Sequence, residues 1–262
     1  MSNPDGGAPL TQGRGGPQVI PRPALWTPGR PAPWSQVGTT SGLIVPERVR
    51  AAVPPDRLGS PSPVASMGAS PSAVLIPIYE HDGELWVVLT RRAKSLRTHR
   101  GEVSFPGGRA DPGETMVEAA LREANEEVFL DPALVEPLGE LDHLTTVTRR
   151  AYIVPVVGLL DGRPELGRNP DEVDAVLHVP LRELMSPEVF HEERWGEGEL
   201  SRPVYFFDLV GDTVWGATAA LLRQLLALIT DTDPGGPTDL DPARGTEMVH
   251  FELDPDGLGG VV

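Results

Sequence analysis

Apolar and polar positions first fall into a sustained pattern at Ser72–Tyr79 (SAVLIPIY) and again at Glu84–Arg91 (ELWVVLTR), which reads as two β-strands. Glu80-His81-Asp82-Gly83 stands between them, and Asp-Gly between apolar runs predicts a hairpin. Val103–Phe105 reads as a short strand before a Gly-Gly turn. Over Thr115–Val128 the period becomes helical. Val117, Leu121, Ala124 and Val128 fall on one face within about 60°, at roughly 100° per residue. Thr115 and Glu118 form a capping box ahead of that run. Further strands are expected at Tyr152–Leu160, Ala175–Leu181 and Val204–Val210, then a helix at Ala217–Thr230. Strands and helices interleave, so residues 71–230 predict one layered α/β or α+β domain.

The ends lack such patterning. Residues 1–70 are rich in Gly, Pro, Ala and Ser and read as a disordered extension, with Leu25, Trp26, Trp34, Ile44 and Val45 as isolated anchors. Residues 231–262 read as an acidic tail with room for a short strand at Met248–Leu253. No internal repeat appears, which argues against solenoids and propellers.

Composition narrows the function classes. A net charge of −16 argues against nucleic acid or anionic membrane as general partners. The absence of Cys excludes disulfides, thiolate nucleophiles and Cys-ligated zinc, and it fits a reducing cytoplasm. No apolar run approaches the roughly 20 residues of a membrane helix, and Met1–Asp5 lacks the basic start of a secretory signal. A cytoplasmic protein is expected, and a homodimer is allowed.

Two features carry chemistry. With Val117 set at 0°, Glu123, Glu126 and Glu127 lie between roughly 180° and 280°, away from the apolar stripe. Three like charges so close repel one another unless a cation joins them. By themselves they also fit a solvated acidic face; as ligands, their oxygens suit Mg²⁺ or Mn²⁺. Upstream, Arg91–Arg100 concentrates basic residues on one loop of an acidic chain, a pattern suited to phosphate because arginine can bind it in bidentate fashion.

Gly108, Glu114, Arg122, Glu123, Ala124, Glu126, Glu127 and Leu130 together resemble the Nudix box, Gly-x5-Glu-x7-Arg-Glu-apolar-x-Glu-Glu-x-Gly-apolar. Chance placement of the fixed residues in this register has odds on the order of 10⁻⁵ per chain. The resemblance implies a mixed sheet sandwiched between helices and metal-assisted attack of water on a diphosphate. Glu123, Glu126 and Glu127 would carry the metal, Arg122 would orient glutamates, and Glu114 would support the loop–helix junction or reach a metal through water. Phe129 departs from the box, where a glycine normally supplies a left-handed helix exit.

Leu89-Thr90, Arg92-Ala93, Arg97, Gly101 and Phe105-Pro106-Gly107-Gly108 resemble the signature of the coenzyme A pyrophosphatase branch, with Val88 replacing a usual Leu. The likeness continues in Pro155–Gly158, Asn169–Val173 and Val214–Ala219, and covers about residues 72–230. It implies a nucleotide diphosphate as the small-molecule partner, with Arg92, Arg97, Arg100, Gly107 and Gly108 at the substrate. Coenzyme A would yield 3′,5′-ADP and 4′-phosphopantetheine. The alternatives are another nucleoside diphosphate derivative (ADP-ribose, NADH, a dinucleotide polyphosphate) or a domain that binds a nucleotide without cutting it. The general base is open, with Glu172 a candidate. His143 and His178 are expected in structural or surface roles.

Overall fold

A computed structural model describes residues 13–37, 44–62, 70–145, 151–198 and 201–235. Among these, in chain order, lie β1 (Trp26–Pro28), α1 (Pro46–Ala52), β2 (Ser70–His81), β3 (Glu84–Arg92), β4 (Val103–Ser104), β5 (Gly107–Arg109) and α2 (Met116–Val128). Then come β6 (Val135–Glu140), β7 (Leu144–Thr145), β8 (Ala151–Leu160), β9 (Val173–Pro180), α3 (Leu181–Leu184), β10 (Phe190–Trp195), β11 (Arg202–Asp208), β12 (Thr213–Trp215) and α4 (Gly216–Ile229). None of the described helices is long and apolar enough to cross a membrane.

The expected hairpin forms at β2–β3, where Asp82 (φ 53°) and Gly83 (φ 75°) both take the left-handed conformation required by a tight two-residue turn. β2 then runs parallel to β8 from Ser70↔Ala151 to Tyr79↔Leu160, while β3 pairs antiparallel with β9. β4 extends β3, β5 lies on β2, and β6 and β7 lie on β8, completing an eight-stranded mixed sheet. A smaller antiparallel sheet has the order β1-β10-β11-β12.

Alternation along the central strands separates two cores. Ala73, Leu75 and Tyr79 of β2 face α2, packing with Ala119, Ala120, Ala124 and Val128. Ile76 and Ile78 face the other way, into the core built by Leu221, Leu222, Leu225 and Leu226 of α4. A mixed sheet between helices follows, as the resemblance implied. Because α2 presents mostly alanines inward, it approaches the sheet closely at the edge where β5 and β9 also meet it.

The expectation of an unstructured extension over 1–70 is corrected for residues 13–37 and 44–62. Trp34 is 2% exposed, its Nε1 donates to Met185 O at 3.2 Å, and its ring stacks on Phe207. Val49 of α1 and Val53 are fully buried in the core that α4 lines. β1 pairs with β10 in the register Trp26↔Trp195. These pieces are too short to show a period. Their few apolar residues dock onto a core built largely by later strands and by α4. The strand allowed at Met248–Leu253 lies outside the described residues.

Candidate active site

Helix α2 starts where its capping box lies. Thr115 Oγ1 accepts from Glu118 N at 3.2 Å, and Glu118 Oε2 accepts from Thr115 N at 2.9 Å. Its far end is closed by Phe129 in a left-handed conformation (φ 57°, ψ 29°) whose amide donates to Ala124 O and Asn125 O. The loop returning from β8 completes the cap, with Gly167 N donating to Val128 O at 3.1 Å and Asn169 N to Glu127 O at 2.8 Å. That contact carries Glu172 to the helix.

Arg122 is the hub of the acidic face. Its Nε and Nη2 donate to Glu114 at 2.9 and 3.1 Å, and its Nη1 donates to Glu123 Oε1 at 2.9 Å and Glu126 Oε2 at 3.2 Å. Nη2 also reaches Arg109 O, tying α2 to β5. The guanidinium holds the Glu114 carboxyl below the usual carboxylate range. Glu114 also accepts from Asp111 N at 2.9 Å, which braces the loop before the helix. Glu126 remains half in solvent.

Glu127 is different. The helical wheel places it away from the apolar stripe, yet it is 3% exposed, because Arg92, the 169–172 loop and β5 lie over that side of α2. Burial pushes its carboxyl up to about 8 against the opposing pull of Arg92, with Glu172 and Glu123 adding repulsion. Glu127 Oε1 lies 4.0 Å from Arg92 Nη1, while Oε2 has no hydrogen-bond partner among the described residues. Glu123 is likewise raised, mainly by burial, and it feels both Glu126 and Glu172. Glu172 therefore belongs to the same electrostatic group.

The two glycines are read by contact. A Cβ on Gly108 would lie 2.5 Å from the Glu123 carboxylate, and one on Gly107 would collide with Ala73 O. Only glycine lets the turn pass so closely between β2 and α2.

Of the basic loop, Arg92 alone reaches the carboxylates. Arg91 is taken up by Asp174 at 3.0 Å and Asp212 at 3.0 Å. Arg97 and Arg100 are exposed, and among the described residues neither forms an ion pair. His99 is raised by its hydrogen bond to Glu102. As expected, His143 and His178 are structural: His143 bridges Tyr152 and Glu140, and His178 meets Tyr79.

A NUDIX domain family model matches residues 69–200, which include Arg92, the carboxylates of α2 and Glu172. The chain belongs to the Nudix hydrolase family. Similar proteins include the Nudix hydrolase NudL of Yersinia pestis (strain Pestoides F), 37% identical over 155 residues, or 59% of this chain and 77% of that one. NudL of Yersinia pseudotuberculosis serotype O:1b matches to the same extent. Among solved structures, the Nudix hydrolase RenU of M. smegmatis is 19% identical with a TM-score of 0.39, over 44% of this chain and 73% of that one. The C. elegans Ap4A hydrolase complex is 18% identical with a TM-score of 0.36, over 42% and 80%.

Nudix hydrolases generally use divalent metal ions, and the residues of this Nudix domain suit one. The orphaned, buried Glu127 Oε2 is a hard oxygen without a partner, surrounded by acidic neighbours whose repulsion a cation would cancel. Among the described residues, no three acidic or imidazole side chains converge on a ready-made cation site. Arg122 instead draws Glu123 and Glu126 onto itself. Phe129 occupies the left-handed exit that glycine fills in the Nudix box, and its ring packs on Gly167, where an added Cβ would collide with Phe129 Cδ2. Sequence patterning missed the tie between Asn169 and α2 and the pairing of Arg91 with Asp212, since each joins residues far apart in the chain.

Proposed function

We propose that this Nudix hydrolase cleaves the diphosphate of coenzyme A, releasing 3′,5′-ADP and 4′-phosphopantetheine. The observation that carries the reading is the buried, half-orphaned Glu127 beside Arg92, at the root of an arginine loop. The loop follows the coenzyme A pyrophosphatase signature from Leu89 to Gly108.

In this reading Glu123, Glu126 and Glu127 hold Mg²⁺ or Mn²⁺. When bound, the ion neutralises charge on the diphosphate and makes water a better nucleophile. Arg122 aims Glu123 and Glu126, and Glu114 keeps Arg122 in place. Arg92 stands between the carboxylates and the loop, where it can meet a phosphate oxygen in place of Glu127. Arg97 and Arg100 are free to take further phosphate charge, including the 3′-phosphate that distinguishes coenzyme A from ADP-ribose and NADH. Glu172, which is electrostatically coupled to both Glu123 and Glu127, is the candidate to accept a proton from attacking water. Gly107 and Gly108 let the turn pass close to the Glu123 carboxylate, where the diphosphate would lie.

The test is product analysis with the purified full chain and Mg²⁺ or Mn²⁺, offered coenzyme A, ADP-ribose and NADH in ¹⁸O-water. Label in 3′,5′-ADP or 4′-phosphopantetheine supports the proposal and tells which phosphorus is attacked. Preference for ADP-ribose or NADH would move the substrate to another nucleoside diphosphate derivative. Binding without cleavage of any of the three would leave a nucleotide-binding domain.

A further inference from the structure

Residues 13–22 run as a strap over the turn between β11 and β12. Gly15 N donates to Leu209 O at 2.7 Å and Gly16 N to Thr213 Oγ1 at 3.1 Å. A Cβ on Gly16 would collide with Asp212 Cα, so the strap lies flat against that turn. Arg14 anchors its start through Glu183 at 2.9 Å. This seating delivers one side chain, Gln18, to the far end of the arginine loop.

The Gln18 carboxamide is used on both sides. Its Nε2 donates to Gly101 O at 3.0 Å and to Asp212 Oδ1 at 2.8 Å, and its Oε1 accepts from Thr213 N at 2.8 Å. Gly101 ends the loop that carries Arg97 and Arg100, and its own amide returns to Arg92 O at 3.1 Å. The buried Asp212 carboxylate is shared, since it also receives Arg91 Nη1 at 3.0 Å. Both ends of the loop, Arg91 at one and Gly101 at the other, are therefore fastened to Asp212, the second only through Gln18.

We propose that Gln18 is a positioning residue for substrate: it fixes the arginine loop in the shape that meets phosphate. The proposal rests on the reading of Arg97 and Arg100 as phosphate contacts. Backbone bonds from Arg92 to Glu102 and from Ala93 to Glu172 brace the base of the loop. Those from Leu96 to Ala93 and Glu102 to His99 shape its turns, while Gln18 ties its Gly101 end to the β11–β12 turn. A loop ordered only on binding loses affinity to the entropy of ordering, whereas one held beforehand does not. The effect belongs in substrate affinity, not in the chemical step.

The test compares the full chain with Gln18→Glu and Gln18→Ala. The first substitution keeps the shape of the side chain but turns its donors into a carboxylate facing Asp212 and Gly101 O. Loss of the neutral hydrogen bond to Gly101 O, together with weakened seating of Gln18 on Asp212, corresponds to about 3- to 30-fold in KM for coenzyme A with Mg²⁺, with kcat within about twofold. Native-state trypsin cleavage after Arg97 and Arg100 should accelerate by about the same factor, with a cooperative melt retained. Wild-type KM and wild-type loop cleavage in both variants would overturn the proposal. So would a rise in cleavage spread evenly over all arginines, which marks general destabilisation. If the wild-type chain hydrolyses no diphosphate, the substrate reading fails by itself, and trypsin cleavage of the loop still decides the role of Gln18.

Discussion

Arg92 Nη1 and Glu127 Oε1 face each other at 4.0 Å across the gap between β3 and α2, each with a buried polar atom left without a partner. A relaxed ion pair would have closed that distance and used those atoms. The geometry instead keeps a buried carboxylate and a guanidinium side by side, an arrangement that fits the proposed pairing of a metal ion with a phosphate.

Glu127→Gln keeps shape and removes charge. We expect kcat to fall at least 100-fold, on the scale of losing a transition-state contact. The metal-free melt should be no lower than wild type. The folded pKa of about 8 lies above the unfolded value, so ionised Glu127 weakens the fold as pH rises through that range. Kinetics and thermal melts at pH 8.5 measure both, and near-normal turnover would end the metal assignment.

Arg122→Lys retains one positive charge but cannot serve Glu114, Glu123 and Glu126 together. A partly exposed network of this kind contributes only a small stabilisation after screening by solvent. We expect a loss of that size in urea unfolding together with a drop of at least tenfold in kcat. An active, equally stable Lys variant would contradict the hub role.

Arg97→Ala should raise KM for coenzyme A more than it lowers kcat, because the side chain is exposed and apart from the carboxylates. Steady-state kinetics with coenzyme A and ADP-ribose give the comparison. Equal KM values for variant and wild type would remove Arg97 from the substrate.

Phe129 and Gly167 are coupled through contact. Gly167→Ala should destabilise the wild type, since the new methyl would run into the Phe129 ring. In a Phe129→Gly background that clash is absent, and glycine also relieves about 1 kcal/mol of left-handed strain. A double-mutant cycle by chemical denaturation should therefore show a coupling energy of about 1 kcal/mol or more. Additive effects would show that the ring lies elsewhere.

On the smaller sheet, burial disfavours the charged form of His191, but hydrogen bonds to Asp208 and Glu193 outweigh it and raise the group to about 9. Burial of Glu193 is outweighed in turn by His191, Arg22 and Trp195, which bring it to about 2. The raised His191 contributes fully below its unfolded pKa of about 6.5, and that contribution disappears as pH climbs toward 9. The depressed Glu193 contributes above about 4.5 and is lost as pH falls toward 2. We expect the Tm advantage of wild type over His191→Gln to narrow between about pH 6.5 and 9. A pH-independent difference would refute the pairing.

Local periodicity was enough to find β2, β3, β8, β9, β11, α2 and α4 within a residue or two, since each is long and buries one face or both. The box residues were legible for a related reason. Gly108 through Glu127 lie within one turn and one helix, so spacing in the chain becomes spacing in the fold. β1, α1, β10 and β12 were not legible, because short segments between Pro and Gly show no period and gain stability only from surfaces formed elsewhere.

The order of residues alone determined the acid-bearing helix, its cap, the glycine turn before it and the arginine loop, all of which are local choices of backbone and charge. Tertiary packing decided the rest. It buried Glu127 while leaving Glu126 half in water, brought Glu172 across from a distant loop, and set Arg91 on Asp212 while Arg92 faced Glu127. It also seated an unpatterned N-terminal strap on the loop through Gln18. Burial and charge coupling depend on which surfaces meet, and no spacing along a chain specifies that before the sheet has closed its two cores.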